Sequence, residues 1–174
     1  MQRVSRIPTK KAKHVNKFGV LILEDGTVFE GMGFGYSTIA FGEAVFNTGM
    51  TGYTEALTDP SYSGQILTLT YPLVGNYGVP DPMAKDSDGI RKNFESEKIQ
   101  ARGLVVHELS LTASHWNLSL TLDEWMYNEQ IPGISGIDTR ELSWRIFAKL
   151  LPLHVYFTYI TIVFIFVFNI WMSS

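Results

Sequence analysis

Residues 20–31, VLILEDGTVFEG, decide how the chain begins to fold. Two runs rich in apolar and β-branched side chains flank Asp25-Gly26, a dipeptide whose glycine takes the positive φ that a tight turn requires. The pattern predicts a sheet that opens on an antiparallel hairpin. Working outward, further strands are expected over Ala44–Asn47, Gln65–Tyr71 and Gly103–His107, where apolar and β-branched residues cluster again. The stretches GFGYSTIAFG (33–42) and VGNYGVPDP (74–82) carry the glycine and proline of loops.

The helical signals come late. In TLDEWMYNEQ (121–130), Thr121 and Glu124 have capping-box spacing, and Leu122, Trp125 and Met126 share one helical face before Ile131-Pro132-Gly133 stops the run. Asp138 and Glu141 repeat that spacing. Leu142, Ile146 and Leu150 follow at helical intervals, which predicts a second helix from about Thr139 that Pro152 ends or kinks. Strands first and helices last imply an α/β domain with helices packed on a largely β layer.

Charge divides the 174 residues unevenly. Residues 1–17 hold Arg3, Arg6, Lys10, Lys11, Lys13 and Lys17 and no acid, so a basic, flexible N-terminus is expected. The same bias fits an organelle leader, although Ser5 is the only serine in that stretch. Setting those six residues aside leaves eight basic against seventeen acidic side chains, a net −9. That is a poor surface for phosphates, so nucleic acid is not an expected partner. Residues 150–174, LLPLHVYFTYITIVFIFVFNIWMSS, contain no Lys, Arg, Asp or Glu. An apolar run of this length suits a transmembrane helix, with Arg145 and Lys149 on its N-terminal side as anchors. The reading is therefore a flexible segment over 1–17, a domain over 18–149 and a hydrophobic tail over 150–174.

Chemistry is sparse. The chain has no cysteine, which removes disulfides, thiolate metal sites and a cysteine nucleophile. His14, His107, His115 and His154 show no metal-ligand spacing, so no metal and no cofactor are expected. The glycines of GMGFGYSTIAFG (31–42) do not follow the spacing of a phosphate loop. Glu43, Asn47 and Glu55 are polar groups among glycines and aromatics, suited to lining a cleft, an interface or a loop. Asp59-Pro60-Ser61-Tyr62 is a turn that would present the Ser61 hydroxyl outward.

Taken together, LILEDGTVFEG, GEAVFNTGMTGYTEALTDPSY, QILTLTYPLVGNYGVPD, FESEKIQARGLVVHELS, SHWN and IPGISGIDTRELSWRI resemble the N-terminal domain of carbamoyl-phosphate synthetase small (glutaminase) subunits. They stand in the family's order and cover Val20 to Ile146. The resemblance implies a swivelling β/β/α domain that docks on the large subunit, the partner that uses bicarbonate and ATP to make carbamoyl phosphate for arginine and pyrimidine synthesis. It also implies a cytoplasmic setting. In the family an amidotransferase domain with a Cys-His-Glu triad follows this domain and releases ammonia from glutamine. The serine of the DPSY motif, here Ser61, contacts that glutamine. No catalytic residue is expected on this chain, and glutamine is expected to bind only once an amidotransferase domain completes the site. After Ile146 the resemblance ends. Two readings of the tail follow: truncation by a frameshift or read-through, favoured by the abrupt change, or a membrane-anchored, non-catalytic binding or regulatory module.

Overall fold

The computed structural model describes residues 7–15, 17–81, 83–85, 87, 89, 91–115, 117–150 and 162–168. The opening hairpin forms as the sequence predicts, between β2 (Lys17–Leu23) and β3 (Val28–Gly35). Gly26 takes φ 82°, and the Asp25 carboxylate accepts the Thr27 N–H at 2.9 Å, so the turn is held by both residues that signalled it. A short strand, β1 (Thr9–Lys11), precedes the hairpin, and β4 (Ile39–Asn47) follows it.

Next come α1 (Tyr53–Thr58), one 3-10 turn (Pro60–Tyr62), β5 (Ile66–Val74), β6 (Gly103–Leu109) and β7 (Thr112–Ser114). The chain continues through α2 (Leu122–Asn128), β8 (Pro132–Ser135), α3 (Thr139–Leu150) and β9 (Ile162–Phe168). Seven strands close a barrel in the order β2-β3-β8-β6-β5-β4-β9, while β1 pairs with β7 apart from it. The result is a mixed α/β domain built on a curled sheet.

Alternation along the central strands sends side chains to two cores. Leu67, Leu69, Leu104 and Val106 join Tyr53 and Leu57 of α1 and Trp125 and Met126 of α2. Ile66 and Val105 join Leu21, Ile134 and Ile165, together with Leu142 and Ile146 of α3. Residues buried on both faces explain why β5 and β6 read as continuous apolar runs.

The predicted helix starts are in place. The Thr121 hydroxyl accepts the Glu124 N–H at 3.1 Å, and the Glu124 carboxylate accepts the Thr121 N–H at 3.2 Å, a complete capping box. The Asp138 carboxylate accepts the N–H groups of Arg140 and Glu141 at 3.0 and 2.9 Å, which starts α3.

Three expectations are corrected. The loop expected over 33–42 is mostly strand, because β3 runs to Gly35 and β4 begins at Ile39. Close approach selects glycine there as well as turning: a side chain on Gly42 would strike the Gly64 carbonyl, and one on Gly35, which also takes φ 66°, would strike the Ile131 carbonyl. Part of the basic segment expected to be flexible is ordered, since Thr9–Lys11 pairs with Thr112–Ser114. Finally, residues 162–168 of the expected transmembrane helix are strand β9. Among the described residues no helix is long and apolar enough to cross a membrane. Isoleucine, valine and phenylalanine suit a strand as well as a helix, and β2 and β4 each offer a free edge that β9 pairs in antiparallel register. Residues 1–6, Trp116 of the SHWN block, Pro152, His154 and the remaining tail positions 151–161 and 169–174 lie outside the described residues.

Candidate functional site

Helix α1 and the turn after it position the residue singled out by its motif. Gly52, at φ 81°, precedes the helix without a side-chain cap, and the Tyr77 hydroxyl accepts the N–H groups of Gly52 and Tyr53 at 3.1 and 3.3 Å in place of one. At the other end the Thr58 hydroxyl donates to the Thr54 carbonyl at 2.8 Å. Asp59 then turns extended, and its carboxylate accepts the Ser61 N–H at 2.8 Å, with Pro60 at the first position of the 3-10 turn. Ser61 is exposed, and its hydroxyl has no protein partner among the described residues. The backbone is fixed while the side-chain oxygen is left outward.

The other polar candidates separate into two places. The Asn47 side-chain amide donates to the Tyr62 hydroxyl at 3.3 Å, and Gln65 donates to Glu43 at 3.1 Å, so both buttress the segment that carries Ser61. Glu55 lies elsewhere, on a cleft of about 320 Å³ with Thr51, Tyr77, Asn93, His115 and Asn117. Ser61 is not among the residues lining that cleft.

The described histidines stay apart. His14 stacks on Tyr127 with ring centroids 3.8 Å apart, His107 lies 3.1 Å from the Ile137 carbonyl, and His115 sits edge-on to Tyr77. Among the described residues no group of three or more His, Cys, Asp or Glu side chains is placed to hold a metal ion.

One buried group escaped the sequence reading. Asp123 is 1% exposed, and its two carboxylate oxygens accept the N–H groups of Gly35 at 2.8 Å, Lys13 at 2.8 Å and His14 at 2.7 Å. It ties the N-terminal arm and β3 to α2. Asp123 stands in the first turn of α2, where an acidic residue is ordinary, and its three donors are distant in sequence. Nearby, burial lowers the Lys17 ammonium from its usual range, partly offset by the Asp123 charge. Burial alone would raise Glu124, but hydrogen bonds from Lys13 and Thr121 hold it below the usual carboxylate value. The Lys13–Glu124 ion pair is 2.6 Å long.

Comparison with known proteins brings these features together. The family model for the carbamoyl-phosphate synthase small chain, CPSase domain, matches residues 21–149. The chain is 56% identical over 131 residues to the carbamoyl phosphate synthase small chain of Saccharolobus solfataricus, covering 75% of this chain and 35% of that one. It is 49% identical over 132 residues to the small chain of Pyrococcus furiosus, covering 76% and 35%. It is also 50% identical over 141 residues to the mitochondrial carbamoyl-phosphate synthase [ammonia] of Aquarana catesbeiana, covering 81% of this chain and 9% of that one. The chain thus spans about a third of the length of the small chains it matches. The match holds Ser61, all of α2, α3 up to Lys149, five whole barrel strands (β3, β4, β5, β6 and β8) and the end of β2, but not β9. By that match the chain belongs to the carbamoyl-phosphate synthase small chain family, through its CPSase domain.

Proposed function

We propose that this chain is the docking domain of a glutamine-hydrolysing carbamoyl-phosphate synthase subunit, of the swivelling β/β/α type, and that it is not a glutaminase by itself. Its partner is the synthase large subunit, and its setting is the cytoplasm. Attack on the glutamine amide needs an activated nucleophile such as a thiolate. The 174 residues contain no cysteine to supply it. What the domain offers instead is Ser61, which contacts glutamine once an amidotransferase domain completes the site.

The observation that carries this reading is the Ser61 turn: an exposed hydroxyl on a backbone pinned by Asp59 at 2.8 Å. A hydroxyl on a backbone fixed in advance loses less freedom on binding than one on a mobile loop, which favours a ligand contact. The test pairs the purified chain with a separately produced amidotransferase half of the Saccharolobus small chain. Neither this chain alone nor its Ser61→Ala variant should release ammonia from glutamine. In the reconstituted pair, Ser61→Ala should raise KM for glutamine about tenfold, the worth of one lost hydrogen bond, with a smaller change in kcat. Turnover by the chain alone, or an unchanged KM in the variant pair, would overturn the reading.

A further inference from the structure

The cleft beside α1 is separate from the Ser61 turn and has a chemistry of its own. Among the described residues that line it, Glu55 is the only acidic or basic side chain, histidine aside. It is half-buried, it accepts a hydrogen bond from the Thr54 hydroxyl at 2.7 Å, and among the described residues no basic side chain pairs with it. Next to it stands Tyr77. The hydroxyl of Tyr77 is engaged with the N–H groups of Gly52 and Tyr53, and one ring face is stacked on Tyr53 at 4.3 Å, so the ring is held rigidly at the cleft. Asn93, at φ 64°, and Asn117 add side-chain amides.

These groups favour one kind of guest. An anion would meet the Glu55 carboxylate with no lysine or arginine among the described lining residues to offset it. A cation would gain that carboxylate, the electron-rich aromatic wall and amide oxygens as acceptors. The net −9 of the chain beyond its basic opening also draws cations toward the surface. Met50, 79% exposed, directly precedes the cleft residue Thr51 and offers apolar surface for an alkyl stem.

We propose that this cleft binds the ammonium head of a lysine-like alkyl chain, whether as a free amine or as a lysine side chain of a protein partner. The test is a titration of the isotope-labelled full chain followed by nuclear magnetic resonance. Three probes are compared: N-acetyl-lysine methylamide, its neutral counterpart N-acetyl-norleucine methylamide, and n-butylammonium. The lysine probe should move the amide signals of Thr51, Glu55 and Asn93 with a midpoint at least tenfold lower than the norleucine probe. Glu55→Gln should remove that preference. Equal midpoints for the charged and neutral probes, or shifts scattered away from the cleft, would sink the proposal. The lysine-norleucine contrast is read on the unaltered chain, so the decision does not depend on Glu55→Gln folding. A lysine probe binding at least fivefold better than butylammonium assigns the cleft to a partner's side chain, and equal binding assigns it to a free amine. Either result upholds the ammonium site. Failure here leaves the Ser61 reading untouched, because that turn does not line the cleft.

Discussion

The body that matches the family and the apolar tail reach the same barrel by different routes. In the body, strands and helices are announced locally: Asp25-Gly26 turns the hairpin, Thr121 and Glu124 cap α2, and Asp138 caps α3. In the tail nothing local distinguishes a strand from a helix, and β9 is specified by the edges of β2 and β4 that it joins. The difference teaches that an uncharged apolar run reports burial, while its neighbours decide its conformation.

The sharpest way to break this comparison is at Ile165, fully buried and packed in the core with Leu21 and Ile134. If the tail is as much a part of the barrel as the body is, Ile165→Ala should destabilise the chain by about 2–5 kcal/mol, as truncations of core isoleucines do. Ile134→Ala in the body should cost a similar amount. Both are read from urea unfolding midpoints, and a tail variant with wild-type stability would show that the body stands without β9.

Asp123 probes long-range ties within the body itself. Asp123→Ala strands three N–H donors, one in β3 and two in the N-terminal arm, and should cost about 3 kcal/mol, within the range for charged hydrogen bonds lost from a buried site. Hydrogen exchange at Lys13, His14 and Gly35 should accelerate together; acceleration confined to one of them would mean the three contacts are independent. A smaller effect is expected at Gly133, which faces the Phe34 ring across the β3–β8 pair. Gly133→Ala should cost about 1–3 kcal/mol by overpacking. A neutral result there would show that Phe34 can move aside.

The smallest effect belongs to the local signals. Thr121→Ala should cost about 1 kcal/mol through loss of the cap. Glu124, held below its ordinary 4.5, adds stability that is present above that value and is lost as the pH falls through its depressed folded value. Acid titration of stability below pH 4.5 should therefore flatten in Glu124→Gln, and an identical acid limb in the variant would remove Glu124 from that account.

Legibility in the sequence followed the range of the interactions. The hairpin, both capped helices and the turn bearing Ser61 rest on contacts within a few residues, and all were readable. Helix α1 was not foreseen, because it spans only Tyr53–Thr58 and its start is capped by the distant Tyr77 hydroxyl rather than by a neighbour. The pairing of β1 with β7 spans about a hundred residues and leaves no local mark. Gly33 and Gly35 were misread as loop because a strand packed closely on its neighbour and a turn both select glycine. At the site, the residue came from its motif, whereas the separation of Ser61 from the Glu55 cleft needed three-dimensional placement.

The barrel's closing strand also sets an order of events in time. Phe18 is in register with Phe168 in the β2–β9 pair, so a partner for an early strand comes from a segment synthesised long after it. During vectorial synthesis the edges of β2 and β4 wait for residues 162–168 to leave the ribosome, on the order of ten seconds after β4 at ordinary translation speeds. Through that interval two strand edges stand open to pairing with other nascent chains, and the yield of folded protein depends on how well they are shielded.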